Sequence, residues 1–178
     1  AGIDDSIFEG DWEWVELGSL EKNGDILLKN GFACGDNNTE GKGIPQLRPM
    51  NISEFGEINL DQIKYIVTEK NIGEYLIKTG DVIFNNTNSK ELVGKTAFWK
   101  FVNLNFVVSN HMTIIRPLSK EINGQIIAAY LHLLWKKGYF LKSAHIHVNQ
   151  ASINLDTLRL IKIPLPPIEK QQEIVDFL

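Results

Sequence analysis

Between Gly80 and Gly94 the chain reads GDVIFNNTNSKELVG. Val82, Ile83 and Phe84 have the character of a short buried strand, and Asn85, Asn86, Thr87, Asn88 and Ser89 follow without a break. Such amides and hydroxyls suit base edges: Asn and Gln pair bidentately with adenine, and Ser and Thr pair with several bases. Arg and Lys pair with guanine or neutralise phosphates. Residues of these types recur at strand ends and loops. Lys29, Asn37, Asn38, Lys42, Arg48, Asn51, Asn86, Lys90 and Lys95 are candidate DNA contacts, as are Lys136, Lys137, Lys142, His145, His147 and Gln150. For any single Asn, a turn is the stronger reading, because its side chain bonds its own backbone and tolerates left-handed conformations. The repetition, together with local charge, moves the balance toward binding.

Catalytic constellations are missing. There is no Gly-rich phosphate loop, no Gly-x-Ser-x-Gly elbow and no Asn/Asp-Pro-Pro-aromatic motif of amino-methylating enzymes. His145 and His147 alternate, so a strand would set them on one face, yet no Cys, Asp or Glu neighbours them in sequence. Structural or nucleic-acid-contacting histidines are favoured over a metal pair. His132 reads as a rim residue of a packed helix face. The single cysteine, Cys34, cannot form an internal disulfide, which fits a reducing cytoplasm.

The formal net charge of −4 argues mildly against nucleic acid, but its distribution argues the other way. Residues 1–25 carry eight carboxylates against one lysine, whereas residues 78–162 carry 11 Lys/Arg against 4 Asp/Glu. Binding follows the local field. Charge alone leaves a solvated surface without a partner equally open. No apolar run approaches the ~20 residues of a membrane span.

The elements that must position these residues are partly legible. The segment 44–52 alternates enough for a strand, with Ile44, Leu47 and Ile52 inward and Arg48 and Asn51 free. Residues 58–67 fit strand or short helix. A Gly80-Asp81 turn leads into the 82–84 strand, residues 95–102 supply its return strand, and 106–117 form another strand stopped by Pro117. Residues 123–144 give the clearest helix, with Ile126, Ile127, Tyr130, Leu131 and Leu134 at helical spacing and a stop at Lys136, Lys137 and Gly138. Asn154 caps a helical turn before a strand ending at IPLPP, and Pro167 fits the first position of a last helix. Ile168, Ile174, Val175 and Leu178 make that helix's apolar stripe, which is short enough to need continuation or a partner.

Four stretches in order then carry a resemblance: WEWVELGSL, IPQLRPMNISEFGEI, GDVIFNNTNSKELVGKTA and VNQASINLDTLRLIKIPLPPIEKQQEIV. Over residues 12–178 the chain resembles the target-recognition domain of the specificity subunit of type I restriction–modification enzymes.

The resemblance implies a mixed α/β (α+β) fold: a twisted, largely antiparallel or mixed sheet with a few helices, ending in the start of a spacer helix. It implies residues 1–11 as a linker or boundary segment, 12–166 as the recognition domain and 167–178 as the spacer or dimerisation helix. It implies a non-catalytic, cytoplasmic reader of one half of a split double-stranded DNA target. Partners would be a methyltransferase subunit, a restriction and translocation subunit, and a second recognition domain or a second copy. No cofactor is expected on this chain; S-adenosylmethionine, ATP and magnesium would belong to partner subunits. Only one recognition domain is present, which leaves a fragment, a dimerising half-subunit or the recognition lobe of a fused methyltransferase–restriction enzyme. An interaction-only domain is a further alternative. A pattern shared among readers of different targets cannot itself read the target, so Asn85, Thr87, Asn88 and Ser89 are expected to fix a turn or touch phosphates, while Asn86 varies. Asn149, Gln150 and Ser152 serve equally as structural caps or as contacts. Base readout is expected in 29–43 and 136–147.

Overall fold

The run 82–84 lies in the centre of the molecule, buried on both faces, which is why it is apolar without alternation. The computed structural model describes residues 5–34, 36–148 and 150–178. In chain order these form β1 (Glu13–Glu16), α1 (Leu17–Lys22), β2 (Ile26–Asn30), β3 (Asn37–Asn38), β4 (Ile44–Leu47), β5 (Lys64–Ile66), β6 (Val82–Asn85), β7 (Thr87–Asn88), β8 (Thr96–Phe98), β9 (Val107–Val108) and β10 (Met112–Pro117). There follow α2 (Gly124–Lys136), α3 (Tyr139–Ser143), β11 (His145–His147), β12 (Gln150–Ser152), α4 (Leu155–Arg159), β13 (Lys162–Leu165) and α5 (Ile168–Phe177). This is the mixed α/β class the sequence indicates.

The central sheet is antiparallel, in the order β2-β10-β6-β8. Strand alternation divides its side chains between two cores. Leu28, Val82, Phe84 and Ile115 face α2, where Ile127, Ala128 and Leu131 meet them. Ile83, Ala97, Met112 and Ile114 face the other way, onto Leu47 of β4 and Val108 of β9 in a second sheet, β3-β5-β4-β9. A fully buried side chain of this size contributes about 1.5–3 kcal/mol, so both layers hold β6 in place.

Helix α2 is apolar on two stripes for a corresponding reason. Ile126, Ala129 and Leu133 point away from the sheet and pack on Phe8 and on Ile174 of α5. Its N-cap, Asn123, accepts a hydrogen bond from the Gln125 N–H, and Gly138, at φ 71°, takes the left-handed turn into α3. Phe8 is buried and meets the Tyr130 ring edge-on at 5.2 Å, with Ile7 half-buried beside it, so the segment before residue 12 contributes side chains to this core. The two ends of the recognition segment are also neighbours, since β1 pairs antiparallel with β13, Glu16 opposite Lys162.

Three local expectations are corrected. Residues 106–117 form two strands, because a turn with Met112 N–H on the Ser109 carbonyl (3.0 Å) sends β9 and β10 into different sheets. Residues 44–52 stop being a strand at Leu47 and close in a 3-10 turn, Pro49–Asn51. Pro167 caps α5 from outside, its carbonyl accepting the Lys170 and Gln171 N–H groups.

Candidate nucleic-acid interface

The amide run after residue 84 builds the place where the strand changes partners. β6 ends at Asn85 in the central sheet, and β7 begins at Thr87 in a third sheet, β11-β12-β7. Asn86 sits between them. Its carbonyl accepts the Ile153 N–H at 2.8 Å, and the His111 carbonyl accepts the Asn86 and Thr87 N–H groups at 3.0 and 3.3 Å. Its side chain donates to Thr113 Oγ1 at 3.0 Å and to the Asn110 carbonyl at 3.2 Å, and accepts from Thr87 Oγ1 at 2.7 Å. Asn85 donates to the Pro49 carbonyl at 3.3 Å. Leaving one sheet for another strands backbone groups that amides are suited to satisfy.

Three candidate contacts are therefore corrected. Asn86 is buried and hydrogen-bonded, neither free to vary nor open to a groove. Asn51 is buried as well, its Oδ1 accepting the Arg48 N–H at 2.8 Å while Nδ2 donates to the Asn59 and Gln62 carbonyls. Lys95 is buried, with Nζ 5.2 Å from the Trp135 ring centre and donating to the Ile52 carbonyl at 3.3 Å. Burial pushes its ammonium below the ordinary lysine value, against the pull of Glu54.

The candidates nearer the N-terminus are largely engaged. Lys29 bonds Glu74 at 2.9 Å and lies over the Tyr75 ring. Asn38 ties its loop together, accepting the Glu40 and Lys42 N–H groups and donating to the Lys42 and Tyr65 carbonyls. Lys42 pairs with Glu40. Asn37 is exposed on β3. Arg48 is half-buried with its Nε shielded from solvent.

The remaining cations gather. Trp135 Nε1 donates to the Glu91 carbonyl at 2.8 Å, which joins the end of α2 to the turn after β7. Glu54, Phe55, Glu91, Trp135, Lys136, Gly138 and Leu141 line a groove at that junction, and the exposed Lys90, Lys137 and Lys142 are each next in sequence to one of these residues. β11 follows α3 directly, bringing His145 into the same neighbourhood. His145 and Gln150 are exposed on β11 and β12. His147 lies opposite Gln150 in the register; its side chain and Asn149 lie outside the described residues.

His132 is buried in this region, not on a rim. Its Nδ1 accepts the Thr96 N–H at 3.3 Å, which leaves Nε2–H to donate to the Glu54 carbonyl at 2.9 Å. With Lys95 it straps the 52–57 loop to α2. Burial, with the positive charges of Lys136 and Lys95, holds its imidazole below the ordinary 6.5.

On α5, Ile174 is buried against the chain's own Phe8, Ile126, Ala129 and Leu133, so it is not available to a partner as expected. Ile168 and Val175 are half-buried, and Leu178 is exposed. Gln171 escaped the sequence reading. It is fully buried, accepts the Asn123 N–H at 2.9 Å and donates to the Glu121 and Pro166 carbonyls at 2.8 Å. Asn30 escaped too, although it accepts from Thr113 Oγ1 at 2.8 Å. Neither carries a local signal, because their partners lie far away in sequence. Among the described residues no three His, Cys, Asp or Glu side chains gather as a metal site would require, and no helix is long and apolar enough to cross a membrane.

A family model described as the type I restriction modification DNA specificity domain matches residues 9–178. A protein of Methanocaldococcus jannaschii described as a type I restriction enzyme MjaX specificity subunit is 29% identical over 170 residues, 94% of this chain and 39% of that protein. A chain from a structure concerned with complex assembly and conformational transition of the type I R-M system is 20% identical, with a TM-score of 0.67 over 99% of this chain and 38% of that one. The HsdS subunit from Thermoanaerobacter tengcongensis is 22% identical, with a TM-score of 0.62 over 93% of this chain and 36% of its own. The two structures share the fold. This chain spans less than two fifths of the length of each of these three relatives.

Proposed function

The chain belongs to the type I restriction modification DNA specificity domain family, and on that premise we propose that it is a non-catalytic reader of double-stranded DNA. It recognises one half of a split target, and partner subunits methylate adenine and restrict at the site so chosen. The observation that carries this reading is that Lys136 lines the groove at the junction of α2, α3 and the turn after β7, with Lys90, Lys137 and Lys142, all exposed, each one residue from its lining. These cations supply the salt-dependent, sequence-independent part of binding, and neighbouring neutral side chains supply the readout.

The partner side of the proposal rests on α5. Gln171 and Ile174 clamp its inner face to the domain, while Phe177 and Leu178 stay exposed. That outer apolar edge suits helix packing against a methyltransferase subunit, a second recognition domain or a second copy. S-adenosylmethionine, ATP and magnesium are assigned to the partner subunits, with no cofactor on this chain.

The test is selection from a pool of random duplex DNA at low salt, followed by sequencing of the retained fraction and a salt titration. Enrichment of a short motif of about three to five base pairs, with affinity falling steeply as salt rises, supports the proposal. Absence of retention by a chain shown to be folded, alone and with its methyltransferase partner, overturns it in favour of an interaction-only domain.

A further inference from the structure

The third sheet has two unlike faces. Its register places Thr87 opposite Ser152 and Ser152 opposite His145, and it places Asn88 opposite Ala151 and Ala151 opposite Ile146. Residues opposite one another share a face, and the faces alternate along each strand. Ala151 is buried in the core with Phe84 and Phe140, so its row faces inward at β12, while Ile146 at the β11 end of that row is half exposed. The opposite face carries Thr87 and Ser152, half-buried, and His145 and Gln150, exposed, with the backbone position of His147 opposite Gln150.

The side chains described on that face are hydrogen-bonding groups: two hydroxyls, an imidazole and an amide. His145 and Gln150 are exposed, and among the described residues no hydrogen bond or ion pair engages the side chains of His145, Gln150 or Ser152. The Thr87 hydroxyl is spent on Asn86 Oδ1 at 2.7 Å, so the hydrogen-bonding capacity left intact on this face is that of His145, Gln150 and Ser152. Charge lies at its borders: Lys142 stands three residues before His145, and Lys90 two residues after Asn88.

We propose that this ribbon face enters the major groove and reads base edges, with Gln150 and His145 as the specificity-determining residues; the inference rests on the chain being a DNA reader. The outer pair of this three-stranded sheet, β11 and β12, is a two-stranded ribbon of the kind that fits the major groove, and the Gln amide matches adenine N6 and N7. Outward residues two apart on a strand stand about 6.7 Å apart, close to two base-pair steps of roughly 3.4 Å. Gln150 and Ser152 thus address positions two pairs apart, and His145, beside Ser152, addresses the second. Lys90 and Lys142 hold the phosphates on either side. Gln150 is assigned an A·T pair.

The experiment repeats the random-duplex selection with Gln150→Ala and His145→Ala, in the chain alone and assembled with its methyltransferase partner. Unchanged melting midpoints confirm that these exposed truncations leave the fold intact. Gln150→Ala is expected to lose roughly tenfold discrimination at one A·T position, His145→Ala to relax a second position two pairs away, and Lys142→Ala to weaken all sequences alike. An enriched motif identical in wild type and both variants, or a uniform loss of affinity with the motif retained, overturns the ribbon assignment and leaves the DNA-reader reading standing. Failure of the unmodified protein to enrich any motif, alone and assembled, overturns both.

Discussion

The side-chain amide of Asn86 donates to the hydroxyl of Thr113 at 3.0 Å, and that hydroxyl in turn donates to Asn30 Oδ1 at 2.8 Å. This chain spans β6, β10 and β2 at the level where the strand leaves the central sheet. Asn86→Ala removes the donor to Thr113 and to the Asn110 carbonyl, and the acceptor of Thr87. We expect a loss of roughly 2–3 kcal/mol in urea denaturation, since buried partners are left unpaired. An unchanged midpoint would show that the junction does not depend on the amide.

Arg116 and Asp81 form a second long-range clamp. Nε and Nη2 of Arg116 meet the two Asp81 oxygens at 2.8 and 2.7 Å, and Asp81 also accepts the Lys78 N–H at 2.7 Å. Asp81 is almost fully buried. Arg116→Ala strands that carboxylate and should cost about 3–5 kcal/mol. Arg116→Lys should recover only part of it, because an ammonium cannot reproduce the fork. Thermal melts of the two variants decide the order.

Gly94 is required by space and backbone together. At φ 94° a side chain is strained, and a Cβ would lie 2.2 Å from the ring of Phe140, which packs edge-on against Phe84 at 5.3 Å. Gly94→Ala should destabilise by about 2 kcal/mol or more, read from the denaturation midpoint.

His132 makes stability pH-dependent. In the folded chain the imidazole is held below its ordinary 6.5, because it is buried and the charges of Lys136 and Lys95 oppose a further proton. The unfolded chain takes up the proton first as pH falls. The contribution is therefore complete above the unfolded value and declines as pH drops through it toward the lower folded one. The melting midpoint of wild type should fall more between about pH 7.5 and about pH 5 than that of His132→Gln, which lacks the titrating group. Parallel curves would remove the imidazole as the cause.

Two lysines that look alike in sequence should behave differently. Lys95→Ala removes a buried cation that holds the 52–57 loop and should lower stability. Lys142→Ala should leave the melt unchanged, weaken DNA binding for every sequence and reduce the salt slope by about one. The pair needs only a melting curve and a salt titration.

Much of the fold was legible because its causes are local. The spacing of Ile126, Ile127, Leu131 and Leu134 marked α2 and Gly138 its end, Asn154 marked the cap of α4, and the apolar run 82–84 marked β6. The break at 109–111 was hidden because the residues on both sides are apolar and buried, so that periodicity runs on across a change of sheet. The candidate site was less legible still. Asn51, Asn86 and Lys95 carry the same groups as Asn37, Gln150 and Lys142, and composition does not distinguish an amide that satisfies a buried carbonyl from one that faces solvent.

By itself the sequence determined where the main helix, its end, the cap of α4 and the central strand lie, and that four ordered motifs place the chain in its family. Only the tertiary structure decided which polar groups remain outside. That decision is made by pairings such as Thr87 with Ser152 and Asn86 with Thr113. Periodicity and capping act over a few residues, whereas these contacts form only after distant strands have packed, and burial then divides like side chains into those that hold the fold and those left to meet a partner.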